Sequence, residues 1–167
     1  TCAIAGCSSS SKNDADVTIT IGTSPDYAPY ESLNKKGDIV GFDVDMVKLF
    51  EGYLSDMEGK TYSLEFKQID NIVTQIQGDQ IDLGISGFTY SEDRVVEWSD
   101  PYLGSQQVAV VPNGSSITSN DQLVGKKLAA QTGATGEQAA KEVKDADVVS
   151  MKNVQDIFNG LASNQYD

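Results

Sequence analysis

The stretch VTITIG, residues 17–22, alternates apolar and polar side chains and ends on a glycine, a pattern typical of a half-buried strand. Downstream, residues 63–68 alternate again, residues 70–77 have the spacing of a short helix, and residues 81–86 form a third apolar run. A longer helix lies between the first two strands, and Asp43 is placed to cap its start. Its inward face is predicted from apolar residues three or four positions apart: Met46, Val47, Phe50, Tyr53 and Leu54. This order predicts an α/β fold with a parallel sheet and right-handed crossovers.

A second, shorter series follows Pro112 and repeats the plan. It comprises a strand at 127–130, a helix at 135–143, a strand at 147–151 and a helix at 154–162. Between the two series, residues 108–111 form an extended apolar segment, which we expect to cross from one lobe to another. A further strand is expected where the chain ends, so the second lobe is expected to be incomplete.

Composition narrows the functional classes. The 167 residues include 12 Lys+Arg and 25 Asp+Glu, for a net charge of −13, and no histidine. Such acidity disfavours nucleic acids and anionic lipid head groups as partners. The absence of histidine excludes His-dependent triads and His-ligated zinc. No stretch reaches the roughly 20 apolar residues that a membrane-spanning helix requires.

Two cysteines lie at the very start of the chain. Cys7 follows Ile4, Ala5 and Gly6 and precedes a serine run, an arrangement similar to the lipobox of bacterial lipoproteins. On this interpretation residues 1–6 are the remnant of a signal peptide, and residues 7–16 are a lipidated Cys7 followed by a flexible tether. The alternative is a disordered N-terminus in which both thiols are incidental.

In an open parallel sheet, ligands bind beyond the carboxyl ends of the strands. The loop after the first strand holds Tyr27 between Pro25 and Pro29, which stiffen the chain. Two interpretations remain open for Tyr27: it forms the aromatic wall of a binding site, or it covers the edge of the sheet.

The loop after the third strand carries groups suited to a carboxylate. Gly87 lets a ligand approach the backbone, Thr89 offers a hydroxyl, and Ser91 is placed to cap a short helix with Arg94 at its third position. A guanidinium grips a carboxylate with two parallel hydrogen bonds, and free amides at a helix start add to the site.

The alternative is that Arg94 pairs with Asp93 or Glu97 on a solvated face. In the second series, residues 131–136 join a strand to a helix through a glycine-rich turn that presents amides and a hydroxyl, but lacks the Lys-Ser/Thr ending of a P-loop. Paired-carboxylate catalysis is disfavoured, because the acidic residues near Arg94 crowd together as on a solvated face.

Several short segments occur in an order that resembles a known family. They are DYAPYE at 26–31, GFDVD at 41–45, GDQIDL at 78–83, residues 86–94, WSDPY at 98–102, LVGKK at 123–127 and QTG at 131–133. Together they resemble family-3 solute-binding proteins of amino-acid ABC transporters, over residues 17–167. The resemblance implies a type II periplasmic-binding-protein fold of two lobes, each with a mostly parallel sheet. Residues 17–109 would form the first lobe, and residues 110–167 the hinge crossing and part of the second.

The resemblance also implies a ligand site. Arg94 would hold the α-carboxylate with the Thr89 hydroxyl and backbone amides near Ala134 and Thr135, and the Gly87 carbonyl would accept from the α-ammonium group. The implied side-chain pocket comprises a sandwich of Tyr27 and Ile69, with Ser24, Asp26 and Gln131 tuning selectivity. Two departures follow: many relatives carry an aromatic residue where Ile69 stands, and the acidic residue for the ammonium group would lie beyond Asp167. We therefore expect this chain as it stands to bind the ligand weakly or not at all.

The function implied is high-affinity capture of a free amino acid outside the membrane, for delivery to an ABC transporter permease. Asp26 and the acidic surface slightly favour a polar or cationic amino acid, and a glutamine-like or acidic ligand remains open. No cofactor or metal is implied, and the protein would sit on the extracellular face of the membrane, anchored by lipid only, or in the periplasm. The alternatives are the sensory domain of a receptor and a dehydratase-type enzyme on the same fold, with Asp26 as the one carboxylate near the pocket.

Overall fold

The computed structural model of the protein describes residues 15–167. Its regular elements are, in chain order, β1 (Val17–Thr23), β2 (Asp26–Tyr27), β3 (Glu31–Leu33), β4 (Ile39–Val40), α1 (Phe42–Glu58), β5 (Tyr62–Gln68), α2 (Ile72–Gln77), β6 (Leu83–Gly84), a 3-10 turn (Asn120–Leu123), β7 (Lys127–Gln131), α3 (Thr135–Glu142), β8 (Asp147–Met151) and α4 (Val154–Ala162). We call the part built on β1 to β6 the first lobe, and the part built on β7, β8, α3 and α4 the second lobe.

The first lobe contains the predicted parallel sheet, with strand order β5-β1-β6. Strand β1 lies in the centre, and its Ile21 is opposite Phe66 of β5 and Leu83 of β6. Ile21 is fully buried. The third strand, predicted over residues 81–86, is regular at only two residues.

The loop between β1 and α1 contains a small antiparallel sheet that the sequence did not predict. Strands β2, β3 and β4 pair in that order, so the chain doubles back twice before α1 begins. This small sheet sets Tyr27 directly across from Glu31. It therefore places the predicted aromatic wall beside a buried carboxyl group.

Helix α1 is rotated relative to the prediction. Its buried positions include Val44 and Val47, whereas Phe50 and Tyr53 are 46% and 63% exposed. The Glu51 carboxylate accepts a hydrogen bond from the Leu64 amide at 2.7 Å, which turns that side of the helix toward β5. The predicted inward positions of Phe50 and Tyr53 are therefore wrong.

The start of α1 also differs from the prediction. The N-cap is Gly41, with no side-chain hydrogen bond, and Asp43 lies in the first turn. The Asp43 side chain is fully buried and accepts from the Tyr102 hydroxyl at 3.2 Å instead of capping the helix.

The second lobe follows the predicted order closely. Strands β7 and β8 pair in parallel, with Leu128 opposite Val148. Helix α4 begins after Asn153, whose side chain accepts from the Gln155 and Asp156 amides. The predicted crossing at residues 108–111 forms no regular element, and Val108 and Val110 are 65% and 53% exposed. Within residues 15–167 no helix has the length and apolar character to cross a membrane.

Candidate functional site

The two lobes meet where loops leave the carboxyl ends of their strands. Arg94, in the loop after β6, donates through Nη2 to the carbonyl of Gly133, in the turn after β7, at 2.9 Å. Asp26, in the loop after β1, accepts through Oδ2 from the amide of Val154, at the start of α4, at 3.2 Å. These two contacts define the cleft, which lies where an open α/β sheet is expected to bind a ligand.

The guanidinium of Arg94 spans this cleft and forms no ion pair with any carboxylate of the described residues. Its Nη1 donates to the Thr89 carbonyl at 2.8 Å, and its Cζ lies 5.4 Å from the centroid of the Phe88 ring. Burial lowers the pKa of Arg94. Among the described residues, none of the three ion pairs includes Arg94. The suggested pairing with Asp93 or Glu97 is therefore not formed.

The helix predicted to start at Ser91 is also not formed. The Arg94 amide reaches the Ser91 carbonyl at 3.2 Å, which closes a single turn. The next bond, from the Val96 amide to the Arg94 carbonyl at 2.9 Å, spans only two residues and takes the chain out of helical geometry. This loop can therefore bind an anion through the guanidinium of Arg94, and not through the free amides of a helix start.

Tyr27 lies against the glycine of the Arg94 loop. A Cβ built on Gly87 would lie 3.3 Å from Cδ1 of Tyr27, and Gly87 has a φ of +57°. The Tyr27 ring also stacks on Tyr30, with centroids 5.5 Å apart, and is 44% exposed. Gly87 therefore gives the aromatic ring room at the edge of the cleft, while part of the ring stays open to solvent.

Asp26 is oriented by its neighbour Ser24. The Ser24 hydroxyl donates to Oδ1 of Asp26 at 2.9 Å, while Oδ2 accepts from Val154 on the second lobe. A carboxylate at the amino end of a helix is stabilised by the free amides there. Asp26 thus forms a second hydrogen bond between the lobes, in addition to that of Arg94.

On the second lobe, Glu137 holds the turn that faces Arg94. Its Oε2 accepts from the Gly133 amide at 2.8 Å, its Oε1 accepts from the Ser150 hydroxyl, and Lys141 Nζ lies 2.9 Å from Oε1. These bonds, the one from Ser150 first, lower the pKa of Glu137 to about 2. Glu137 therefore holds Gly133 by its amide, and the carbonyl of the same residue accepts from Arg94. Glu137 was missed in the sequence, because the N-cap of α3 is Ala134 and the Ser or Thr of a capping box is lacking there.

The remaining predicted residues are more scattered. Gln131 donates through Nε2 to the Lys152 carbonyl at 3.1 Å, and the Ala134 amide is used within the turn, on the Gln131 carbonyl at 3.1 Å. The Thr135 hydroxyl donates to Oε1 of Gln107 at 3.4 Å. Ile69 is half-buried, and its Cδ1 lies 3.6 Å from a Cβ built on Gly22 of β1. Cys7 lies outside the described residues.

Two acidic residues under the cleft escaped the sequence analysis as site residues. Glu31 and Asp43 are both fully buried in the first lobe. Glu31 accepts from the Ser86 hydroxyl at 2.9 Å, and that same hydroxyl accepts from the Ser24 amide at 3.0 Å. Both carboxyl residues lie inside quoted motifs, APYE and GFD, but the spacing of those motifs does not predict that the two side chains meet.

The family model for bacterial extracellular solute-binding proteins, family 3, matches residues 19–167. The chain belongs to this family. Its curated relatives include the arginine-binding extracellular protein ArtP of Bacillus subtilis, 29% identical with 97% of this chain and 64% of the relative covered. They also include the lysine/arginine/ornithine-binding periplasmic protein of Escherichia coli, 30% identical over 90% of this chain and 58% of the relative. The chain thus spans about half to two thirds of the length of these curated relatives.

Solved structures of the family have the same architecture. The substrate-binding protein of an amino acid ABC transporter superposes with a TM-score of 0.79 at 34% identity, covering 90% of this chain and 67% of that one. Arginine-binding ArgBP of T. maritima superposes with a TM-score of 0.77 at 33% identity, covering 90% and 66%. The predicted type II periplasmic-binding-protein fold is therefore confirmed.

Proposed function

We propose that the protein captures a free amino acid between its two lobes, outside the membrane. The observation that carries this proposal is the guanidinium of Arg94, which bridges the cleft between two neutral carbonyls and has no acidic partner within residues 15–167. A guanidinium can bind a carboxylate through two parallel hydrogen bonds between opposite charges, which a neutral carbonyl does not offer. The α-carboxylate of an amino acid is therefore a better acceptor for Arg94 than the carbonyls of Thr89 and Gly133.

Closure of the lobes accounts for selective retention of the ligand. The bonds from Arg94 to Gly133 and from Val154 to Asp26 both join one lobe to the other. A ligand that touches both lobes favours the closed state, since only there are all of its contacts made. In this scheme Thr89 and the amides near Ala134 and Thr135 assist Arg94, and the Gly87 carbonyl accepts from the ammonium group.

We further propose that a cationic side chain is preferred. Asp26 stands at the cleft, the chain carries a net charge of −13, and the printed names of relatives include arginine-, histidine- and lysine/arginine/ornithine-binding proteins. Tyr27 and Ile69 would contact the side chain of the ligand, and Ser24 and Gln131 would adjust its fit.

The proposed partner is the permease of an ABC transporter, reached from the extracellular face of the membrane, with a lipid on Cys7 as the anchor. The matched proteins are named as binding proteins, which favours transport over a sensory role and over catalysis. One structural neighbour is described as a precursor of cyclohexadienyl dehydratase, but it is itself an amino acid-binding protein. Asp26, the candidate acid for such an enzyme, has one carboxylate oxygen on Ser24 and the other on Val154.

A ligand panel on the 167-residue chain tests the preference. Trp98 is the one tryptophan and packs edge-on against Phe88, the ring beneath Arg94, so its fluorescence reports on this site. We expect saturable binding of L-arginine, L-lysine and L-histidine, at least about tenfold tighter than that of L-glutamate, consistent with one charged contact.

The variant Asp26→Asn is expected to reduce the difference in affinity between the cationic amino acids and L-glutamate. Its control is Asp38→Asn, which removes an exposed carboxylate from the β3–β4 turn. A saturable preference for L-glutamate, or no saturable binding of any of the twenty amino acids at millimolar concentration, contradicts the proposal.

A further inference from the structure

A partly buried chain of hydrogen bonds connects the cleft to the interior of the first lobe. It runs from the Ser24 amide to the Ser86 hydroxyl at 3.0 Å, and from Ser86 to Oε1 of Glu31 at 2.9 Å. On the far side, the Tyr102 hydroxyl donates to Oδ1 of Asp43 at 3.2 Å. The chain is interrupted at its centre, because within residues 15–167 neither Oε2 of Glu31 nor Oδ2 of Asp43 accepts a hydrogen bond.

The two central oxygens are among three buried side-chain atoms without a hydrogen-bond partner in the described part of the chain, the third being Oγ1 of Thr23. Oε2 of Glu31 and Oδ2 of Asp43 are buried without a hydrogen-bond partner from another group, although both residues are fully buried. Two buried carboxylates in contact repel each other, and each costs a large desolvation energy. One proton placed between the two oxygens satisfies both and removes one of the two charges.

We propose that Glu31 and Asp43 share a single proton in the folded protein, and that this acid pair is a positioning device that holds Ser86 and, through it, the Ser24 amide at the cleft. Glu31 carries the proton and donates it to Asp43, while its other oxygen accepts from Ser86. The connection to ligand binding rests on the proposed function, whereas the shared proton does not.

The electrostatic surroundings agree with this assignment. Burial first, then the hydrogen bond with Asp43, raises the pKa of Glu31 to about 8, while the bond from Ser86 acts in the opposite direction. The charged or titratable groups facing the pair are Asp26 from β2 and Tyr102 from the segment after the Arg94 loop, and the pKa of Tyr102 is itself raised, mainly by burial. None of the ion pairs among the described residues includes Glu31 or Asp43.

The first test follows the Glu31 carboxyl carbon by NMR in the 167-residue chain labelled with ¹³C-glutamate, and the signal is assigned by its loss in Glu31→Gln. We expect this carboxyl group to titrate with a midpoint near pH 8, and to move higher in Ser86→Ala because the Ser86 bond lowers the pKa. A midpoint near 4.5, the ordinary value, overturns the shared proton. The readout requires no ligand, so it is independent of whether the protein binds an amino acid.

The second test uses stability against pH. A group whose pKa is raised in the folded state stabilises the fold fully below its unfolded value, and this contribution is lost as the pH rises from about 4.5 to about 8. Glu31→Gln keeps a neutral donor toward Asp43 and an acceptor for Ser86, so its melting temperature is expected to fall less than that of the wild type over this interval. Glu65→Gln, which removes an exposed carboxylate of β5, is the matched control. Equal pH profiles for wild type and Glu31→Gln overturn the proposal.

The third test asks whether the pair positions the cleft. Hydrogen exchange at the Ser24 amide is expected to stay close to the wild-type rate in Glu31→Gln and to accelerate at least tenfold in Ser86→Ala. Unchanged exchange in Ser86→Ala overturns the positioning role, even where the NMR midpoint supports the shared proton.

Discussion

Gly41 illustrates how one residue without a side chain makes room for the buried acid pair. It has a φ of +139°, and a Cβ built on it would lie 2.7 Å from the Tyr30 carbonyl carbon and 2.9 Å from the Pro29 carbonyl oxygen. The amides of Phe42 and Asp43 then bond these two carbonyls at 3.0 and 3.1 Å. The close approach delivers Asp43 to the interior, and it is available only to glycine.

We therefore expect Gly41→Ala to destabilise the fold by about 2–4 kcal/mol, since it combines an unfavourable φ with a clash against backbone atoms. Gly59→Ala is the control, because Gly59 has a φ of +64° with nothing within 4 Å of the added methyl group, and its cost should be about 1 kcal/mol. Urea unfolding of the two variants measures the difference. Equal losses would show that the contact with residues 29 and 30 carries no strain.

The residue types at loop positions predicted some of the site residues and missed others. Arg94 and Asp26 stood out because a charged side chain directly after a strand has a limited set of roles. Glu31 and Asp43 did not, since their contact depends on the fold of β2 to β4 and on the rotation of α1, which local spacing does not encode.

At the scale of elements, α3 and the turn before it form a unit whose stability depends on one carboxylate. Glu137 is bonded by Gly133, Ser150 and Lys141, and its pKa is lowered to about 2. A lowered pKa contributes stability that is present above about 4.5 and is lost as the pH falls toward about 2.

Glu137→Gln is expected to lose about 1–3 kcal/mol of stability at pH 7, the usual range for hydrogen bonds to a charged group. The deficit should shrink as the pH is lowered from 5 toward about 2. Glu142→Gln, an exposed neighbour on the same helix, is the control. Chemical denaturation at several pH values measures both, and a deficit that does not change with pH argues against the role assigned to the charge.

Hydrophobic periodicity predicted most elements because local burial dictates it, and β1, β5, β7, β8 and the helices of the second lobe fall within a residue or two of expectation. The prediction from periodicity was wrong where long-range contacts determine the local structure. Helix α1 was rotated because β5 supplies its partner at Glu51, and the helix at Ser91 did not form because the Arg94 loop turns toward Gly133.

At the scale of the whole molecule, Arg94 and Asp26 act as two separate connections between the lobes, one through a cation and one through an anion. Both are polar contacts of half-buried groups. Such an interface suits a clamp that opens and closes, because hydrogen bonds with water replace those lost on opening. The ligand would then supply the energy that distinguishes the two states.

The central claim is that Arg94 binds the carboxylate of the ligand, and a two-by-two comparison of affinities tests it most directly. Isothermal titration would compare L-arginine with L-argininamide, which keeps both cationic groups but lacks the carboxylate, on the wild type and on Arg94→Gln. We expect L-arginine to bind the wild type at least about tenfold more tightly than the amide, and to lose that advantage on Arg94→Gln. The same preference for L-arginine on both proteins would contradict the claim.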